Sequence, residues 1–289
     1  MKRIFILSTI LMTIISVSKS QEEIKLYPHG PKDNNGFTVN EVYQRPDFLT
    51  KISEPRMYTY LASKDSANGT AVLICPGGGY VGISVINEGK LEAEWFNKLG
   101  VSAFVLYYRM PNGHWSIPLE DAQTALKIIH QNARKWNIDP NKIGIMGFSA
   151  GGHLASTVGT HFKSKIQRPA FMILGYPVIT MDLEKTHKGS RINLLGNNPS
   201  EKLIKLYSNE LQVTKNTPPT FLFMAMDDKT VPVSNSEDFY KSLLNHNVPA
   251  EIHKFDVGGH GFGMRKKGID ADKWPDLLEV WLKKENLIK

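Results

Sequence analysis

KIGIMGFSAGGHLASTVGT, residues 142–160, is the most informative stretch of the chain. Its apolar start predicts a strand over 142–146 and its later part a helix over 152–160, with Gly-Phe-Ser-Ala-Gly between them. G-x-S-x-G in this context is typical of a sharp strand-to-helix turn that exposes a serine hydroxyl. Glycine two residues before and after the serine avoids a backbone clash, and the N-terminus of the following helix favours negative charge. The stretch therefore predicts Ser149 as a nucleophile; the alternative is a glycine-rich turn with a passive serine.

Strand-like and helix-like stretches alternate on both sides of this turn. Strands are predicted at 57–61, 70–75, 101–107, 142–146, 170–174, 220–225 and 251–255, and helices at 88–99, 119–136, 152–160, 234–245 and 273–284. Asn68-Gly69 predicts a tight hairpin between the first two strands, because this pair adopts positive φ readily. The alternation predicts an α/β fold with a mostly parallel central sheet and helices on both faces. Right-handed connections then gather the functional loops at the carboxyl ends of the strands.

The N-terminus has the composition of a targeting segment. Lys2 and Arg3 precede an apolar run over 4–17, and small residues follow at the two positions that a signal peptidase reads. The run is too short to cross a bilayer comfortably. We therefore expect a cleaved signal peptide at 1–20 and a secreted or periplasmic protein that is not held in a membrane after cleavage.

The rest of the chain, 21–289, is expected to form a single domain. Cleavage leaves 269 residues, and the chain is 41% hydrophobic, which is enough for one α/β core without disulfides. Residues 26–46 are polar and rich in proline and glycine, so we expect them at the surface. Residues 178–217 show weak periodicity and are expected to form an insertion over the active site.

Charge and cysteine content exclude some functions. The formal net charge of +7 falls to +4 when the three positive charges of residues 1–20 are removed. The lysines are scattered without a basic run or interleaved aromatic residues, so nucleic-acid binding has little support. Cys75 is the single cysteine, which excludes an intramolecular disulfide. No metal ion and no cofactor are predicted.

A serine hydroxyl needs a base that accepts its proton, and the sequence offers nine histidines for this role. His260 lies in VGGHGFG (257–263), directly after the last predicted strand, where the glycines allow its imidazole to reach the sheet edge. His153 follows the serine by four residues on the predicted helix, so packing is its expected role. His114 lies in a loop after another strand and could line the pocket. The sequence therefore predicts His260 as the base.

The base needs an acid that orients it and stabilises its charged form. MDDKTVP (226–232) follows the apolar strand predicted at 220–225, and either Asp227 or Asp228 could lie at that strand end. Spacing does not separate the two. The order serine, aspartate, histidine is that of the α/β-hydrolases rather than that of trypsin-like or subtilisin-like enzymes.

CPGGGY (75–80) follows an early predicted strand and has the composition of an anion-binding loop. Consecutive glycines allow backbone N–H groups to point at a bound oxyanion. We predict an oxyanion hole that begins near Gly77 and is formed by the N–H groups of Gly78, Gly79 and Ala150. The alternative, a phosphate-binding loop, lacks a Walker lysine.

Together these motifs resemble the bacterial α/β-hydrolases that include acetyl xylan esterases and related carbohydrate esterases. The resemblance rests on CPGGGY (75–80), FVLYYR (104–109), GIMGFSAGGHLAS (144–156), MDDKTVPVSNSEDFY (226–240) and GGHGFG (258–263). It covers nearly the whole chain after residue 20, except 181–216. In these proteins the acid stands three residues before the valine of a Val-Pro pair, which implies Asp228.

From the motifs and the resemblance we expect a serine esterase that hydrolyses small acyl esters. The resemblance points to acetyl groups on xylan or another plant polysaccharide, so the expected partner is a small ester or an acylated oligosaccharide. Tyr80, His114 and Arg265 are candidate substrate-binding residues. Two alternatives stay open: a prolyl-oligopeptidase-like peptidase, although the chain has no length for a propeller, and a non-catalytic binding protein. The oligomeric state stays open as well.

Overall fold

The computed structural model describes residues 21–289, so the predicted signal peptide lies outside the described residues. Within that range the strands are β1 (Glu23–Lys25), β2 (Val42–Arg45), β3 (Phe48–Thr50), β4 (Arg56–Tyr60), β5 (Ala71–Cys75), β6 (Gly82–Ser84), β7 (Ser102–Tyr107), β8 (Ile143–Phe148), β9 (Met172–Gly175), β10 (Thr220–Ala225) and β11 (Ala250–Phe255). The α-helices are α1 (Leu91–Lys98), α2 (Ile117–Asn132), α3 (Ser149–Thr160), α4 (Lys188–Leu195), α5 (Glu201–Tyr207), α6 (Ser234–Asn245) and α7 (Trp274–Lys284).

The central sheet has eight strands in the order β1-β4-β7-β5-β8-β9-β10-β11. The six strands from β7 to β11 in that order pair in parallel, whereas β1 and β4 pair antiparallel at one edge. Strands β5, β8 and β10 are buried along their whole length, as expected for parallel strands that are covered on both faces. The predicted α/β fold with a mostly parallel sheet is therefore confirmed.

The helices form two layers, one on each face of the sheet. The connection from β5 to β7 and the connection from β7 to β8 run in opposite directions along the sheet, so right-handed crossovers place α1 and α2 on opposite faces. Helices α1 and α7 meet through the rings of Trp95 and Trp274, whose centroids are 6.2 Å apart, while α2 packs on α3. Among residues 21–289, no helix combines the length and the apolar character that spanning a bilayer requires.

The predicted hairpin between the first two strands is wrong. The turn itself exists, because Gly69 has φ +87° and the Asn68 side chain accepts a hydrogen bond from the Thr70 N–H. Strands β4 and β5 do not pair, however, since β7 lies between them in the sheet. Asn68 also donates to the carbonyl of Leu99, so the turn packs against the end of α1 instead of closing a hairpin.

Two segments outside the main sheet approach the carboxyl ends of the parallel strands. The N-terminal stretch is mostly exposed and leads into a small antiparallel sheet in the order β2-β3-β6. Residues 178–217 are not irregular: they begin with buried apolar side chains, including Val178 and Met181, and contain α4 and α5. Both segments therefore contribute walls around the loops that follow β5, β8, β10 and β11.

Candidate active site

Ser149 lies at the sharp turn between β8 and α3. Its backbone has φ +51°, a conformation that is strained for a residue with a side chain, and its residue surface is 6% exposed. A Cβ at Gly147 would overlap the carbonyl of Gly151, and a Cβ at Gly151 would overlap the carbonyl of Cys75. Both glycines are therefore required by the turn, and the turn directs the serine hydroxyl away from the sheet edge.

His260 and Asp228 complete a hydrogen-bonded chain with the serine. His260 Nε2 is 2.8 Å from Ser149 Oγ, and His260 Nδ1 is 2.7 Å from Asp228 Oδ2. These distances correspond to a hydroxyl that donates to one ring nitrogen while the other nitrogen donates to the carboxylate. The structure thus brings together the three residues that the sequence selects, each after the carboxyl end of a parallel strand.

The two neighbouring aspartates have different contacts. Asp228 also accepts hydrogen bonds through Oδ1 from Thr230 N–H and Val231 N–H, at 2.8 and 3.0 Å, and its side chain is 1% exposed. Asp227 faces solvent and accepts the N–H groups of Gly258 and Gly259, which lower its pKa. Asp228 therefore orients the imidazole, while Asp227 holds the start of the histidine loop, residues 257–263.

The anion-hole loop, residues 75–80, presents its glycines beside Ser149. Gly77 donates its N–H to Glu88 Oε2 at 2.8 Å, so this amide is not available to a ligand. The carbonyl of Gly77 accepts from Ser84 N–H, and the carbonyl of Gly78 accepts from Val81 N–H. Because N–H and C=O point in opposite directions in a trans peptide, these bonds direct the N–H groups of Gly78 and Gly79 away from Ser84 and Val81.

Gly78 needs to be glycine, and the backbone of Gly79 favours glycine. Their φ angles are +152° and +64°, and a Cβ on Gly78 would overlap the carbonyl of Gly82. Both glycines line the cavity that contains Ser149. Ala150, in the first turn of α3, has an N–H without an intrahelical partner. Gly78, Gly79 and Ala150 therefore remain the predicted N–H donors of the oxyanion hole. Gly77 is not one of them, because its N–H is bonded to Glu88.

A cavity of about 760 Å³ opens over the serine. Besides the residues above, its lining includes Arg45 at the end of β2, Phe48 at the start of β3, Asn87 and Glu88 after β6, His187 before α4, and Arg265 after the histidine loop. The guanidinium of Arg45 stacks over the ring of Phe48 at 5.0 Å, and Arg265 forms an ion pair of 2.9 Å with Asp47. The cavity wall therefore combines charged and polar side chains with apolar surface, including one aromatic ring.

Of the three candidate substrate-binding residues, Arg265 alone lines this cavity. Tyr80 does not line it: the residue is 2% exposed, and its hydroxyl contacts His153 Nδ1 at 2.8 Å. His114 does not line it either and borders a separate surface depression beside Trp115. Both residues follow strands, but the chain turns them away from the serine.

His153 packs inside the molecule, as predicted. Its Nδ1 contacts the Tyr80 hydroxyl, and its Nε2 donates to the carbonyl oxygen of Tyr207 at 2.8 Å. Burial lowers the pKa of His153 to about 4. With Nδ1 accepting and Nε2 donating, a neutral ring satisfies both contacts. His153 thus stiffens α3 behind the nucleophile.

Sequence reasoning missed His187 and Glu88. His187 belongs to the segment 178–217, where a solvated or core role is the default, and only the folded chain brings it to the cavity. Burial lowers its pKa, so it faces the site as a neutral ring at neutral pH. Glu88 stands in an amphipathic stretch that reads as an ordinary helix, and no local pattern distinguishes it from a surface glutamate.

Within residues 21–289 no group of three His, Cys, Asp or Glu side chains is arranged to hold a metal ion. The arrangement can instead activate a hydroxyl, stabilise an imidazolium and bind a developing oxyanion. The fold and this site define the chain as an α/β-hydrolase in which Ser149 has the position of the nucleophile. The chain belongs to the BD-FAE family of α/β-hydrolases, whose model matches residues 57–243.

Known proteins with similar sequences and structures include enzymes named for acetyl esters and xylan. The acetylxylan esterase of Xylanibacter ruminicola is 41% identical over 239 residues, which are 81% of this chain and 49% of that protein. Endo-1,4-beta-xylanase B of Butyrivibrio fibrisolvens is 36% identical over 84% of this chain and 40% of that protein. The chain therefore spans half or less of the length of these curated relatives.

A solved structure matches nearly end to end. The acetyl ester-xyloside bifunctional hydrolase from Caldicellulosiruptor lactoaceticus is 36% identical and has a TM-score of 0.79. The match covers 93% of this chain and 97% of that one. The fold described above is therefore shared with a protein of similar size.

Proposed function

We propose that this protein is a serine esterase that hydrolyses small acyl esters, in particular acetyl esters on xylan or a related plant polysaccharide. The observation that carries the proposal is the continuous hydrogen-bonded chain Ser149–His260–Asp228, which faces an open cavity beside three backbone N–H donors. A hydroxyl, an imidazole and a carboxylate in this order are the parts that acyl transfer to serine requires.

In the first half of the reaction, Ser149 Oγ attacks the ester carbonyl carbon while its proton passes to His260 Nε2. Asp228 stabilises the imidazolium through Nδ1. The carbonyl oxygen gains negative charge and is held by the N–H groups of Gly78, Gly79 and Ala150, each of which is worth roughly 3 kcal/mol of barrier. The C–O bond to the alcohol then breaks, and His260 returns the proton to the leaving oxygen.

In the second half, a water molecule takes the place of the alcohol. His260 accepts a proton from the water as its oxygen attacks the acyl-enzyme, and the same donors hold the second oxyanion. Collapse of this intermediate breaks the bond to Ser149 Oγ, which regains its proton from His260. The products are a carboxylic acid, here acetic acid, and an enzyme in its starting state.

The cavity supports a sugar as the alcohol part. Its wall combines hydrogen-bonding groups, among them Asn87 and Arg265, with the aromatic face of Phe48, and it is open to solvent. Sugar hydroxyls need donors and acceptors, and a polymer needs an open site. The names of the relatives, acetylxylan esterase and acetyl ester-xyloside bifunctional hydrolase, support acetyl and xylan as the acyl group and the sugar.

The test compares the wild type with Ser149→Ala on acetylated xylooligosaccharides and p-nitrophenyl acetate. Wild-type protein should release acetate, and the variant should release none above the uncatalysed rate while keeping its melting temperature. A panel of acetyl, feruloyl and longer acyl esters together with peptide amides ranks the substrates by kcat/KM. Undiminished turnover by Ser149→Ala would falsify the mechanism, and faster cleavage of amides than of esters would favour a peptidase.

We also propose that the protein is exported. The charged start, the short apolar run and the small residues before Gln21 support a cleaved signal peptide. N-terminal sequencing of protein from the periplasm or the medium should begin near Gln21. Recovery from the cytoplasm with Met1 retained would contradict export.

A further inference from the structure

Glu88 is a buried acidic residue at the edge of the cavity. It lies in a π-helical turn, Ile86–Lys90, that precedes α1, and its own φ and ψ of −126° and 19° break the helical pattern. Widened turns of this kind occur often at functional sites. The turn directs a side chain that is only 5% exposed to the space behind the anion-hole loop.

The carboxylate of Glu88 accepts one hydrogen bond at each oxygen. Oε2 accepts from Gly77 N–H at 2.8 Å, and Oε1 accepts from the Tyr176 hydroxyl at 2.7 Å. Tyr176 in turn accepts from Gly263 N–H at 3.0 Å, and its ring meets the His260 ring edge-on, with centroids 5.0 Å apart. One side chain therefore connects the anion-hole loop to the histidine loop.

The neighbouring Asn87 reinforces this connection. Its side chain donates to the carbonyl of Gly261 at 3.2 Å and accepts from Arg265 N–H at 3.1 Å. Its backbone carbonyl accepts from Met264 N–H. The π-helical turn is thus bonded to Gly261, directly after His260, and to the two residues that follow the histidine loop, so a displacement of the turn moves the imidazole and the anion hole together.

We infer that Glu88 is a positioning residue that keeps the anion hole and His260 in register with Ser149, an inference that rests on the proposed function. The bond to Gly77 N–H fixes the peptide that enters the glycine run, and the bond from Ser84 N–H to the Gly77 carbonyl fixes the next one. With both peptide planes held, the N–H of Gly78 faces the cavity before substrate arrives. Preorganised donors of this kind stabilise an oxyanion without reorganisation.

The charge of Glu88 does not explain its position beside an oxyanion. A carboxylate repels a developing negative charge, and burial raises the pKa of Glu88, which disfavours the ionised form. The bonds from Tyr176 and Gly77 act in the opposite direction and lower the pKa. Glu88 contributes two acceptor oxygens at fixed positions, so it acts through its geometry and not through its charge.

Glutamine separates geometry from charge at this position. In Glu88→Gln the amide oxygen can keep the bond from Gly77 N–H, and the amide NH₂ can donate to Tyr176, whose hydroxyl rotates to accept it. In Glu88→Ala both acceptors are lost. Glu92→Gln is the matched control, because Glu92 is equally buried one turn further on and has no hydrogen-bond partner among residues 21–289.

The experiment measures kcat and KM on p-nitrophenyl acetate and the rate at which a fluorophosphonate labels Ser149. Labelling requires the same hydroxyl, base and anion hole, but it does not depend on which ester is the substrate. We expect Glu88→Ala to lose roughly 100-fold in kcat and in labelling rate, as for loss of one oxyanion donor, with KM within about threefold. Glu88→Gln should lose less than about tenfold, and Glu92→Gln should match the wild type.

Each other outcome overturns a specific step. Wild-type protein that fails to label removes the proposed function and this inference with it. Labelling and kcat of folded Glu88→Ala within about threefold of the wild type overturn the inference alone. If Glu88→Ala does not fold, Tyr176→Phe provides the second test: it removes one of the two bonds and should lower kcat with unchanged KM, and full activity of this variant contradicts the link between the loops. An equal loss in Glu92→Gln would show a general effect of burial instead of positioning.

Discussion

Replacing Glu92 by glutamine should stabilise the protein, and the gain should grow with pH. Glu92 lies on α1 with 0% of its surface exposed, and neither carboxyl oxygen has a hydrogen-bond partner among residues 21–289. Burial raises its pKa well above the ordinary value of 4.5. The folded state therefore keeps the proton on Glu92, whereas the unfolded state releases it once the pH exceeds 4.5.

The magnitude follows from this difference in proton binding. Where the unfolded state has lost a proton that the folded state keeps, the free energy of unfolding falls by about 1.4 kcal/mol for each pH unit. The stability that Glu92 contributes is fully present below pH 4.5 and is lost as the pH rises toward its folded-state pKa. Glutamine does not titrate, so Glu92→Gln escapes this loss. For a chain of this size, the melting temperature shifts by a few °C for each kcal/mol. The melting temperature of Glu92→Gln should therefore rise relative to that of the wild type by roughly 3–6 °C for each pH unit.

Thermal unfolding of both proteins, followed by circular dichroism at half-unit steps from pH 4.5 to pH 7, measures this gap. Glu94→Gln is the control for the substitution itself, because Glu94 lies on the same helix with its side chain 46% exposed, so its replacement relieves no burial. All other titrating groups are common to the compared proteins and cancel in the difference. If the difference in melting temperature between Glu92→Gln and the wild type stays constant or narrows as the pH rises, then Glu92 does not keep its proton in the folded state.

Four further substitutions test the site and the core. Asp228→Asn should lower kcat on p-nitrophenyl acetate by roughly 10³- to 10⁴-fold. Asp227→Asn keeps an oxygen for the two N–H groups of the histidine loop, so its kcat should fall by less than about tenfold. Equal losses would contradict the assignment of Asp228 as the residue that orients His260. Gly151→Ala should prevent folding, seen as loss of soluble protein, because the new Cβ would overlap the backbone of β5; a soluble, active variant would disprove the tight elbow. Asp121→Ala leaves the buried Arg109 charge unpaired and should lower the free energy of unfolding in urea by about 3–5 kcal/mol, and a loss under 1 kcal/mol would contradict a desolvated pair.

The reaction centre was predictable because its parts are local. The elbow around Ser149 needs glycines at fixed offsets, and the histidine and the aspartates each follow a strand that is recognisable from its apolar run. Parallel strands then bring their carboxyl ends to one edge without further information. The choice between Asp227 and Asp228 was different, because adjacent side chains leave the chain in different directions and only the folded loop decides which carboxylate faces His260.

Strand pairing and pocket walls were harder to predict, because they depend on contacts between distant residues. The Asn68-Gly69 turn has the backbone that the pair predicts, yet β7, more than thirty residues later, occupies the place beside β4 that a hairpin partner would take. Tyr80 and His114 follow strands, as the catalytic candidates do, but Tyr80 turns inward to His153 and His114 lies at another surface. Proximity in sequence to a functional loop therefore did not predict proximity to the serine.

The residues around Ser149 and the residues of the cavity wall belong to different parts of the fold. Ser149 and its partners stand on strand ends, and a change there disturbs the sheet itself, as the overlaps at Gly147 and Gly151 indicate. Much of the cavity wall comes instead from peripheral segments, among them the turn between β2 and β3, the residue before α4, and Arg265 after the histidine loop. These segments lie outside the parallel strands. The residues around Ser149 are accordingly constrained by the sheet, whereas the peripheral segments of the cavity wall are not, and under the proposed function these segments select the substrate.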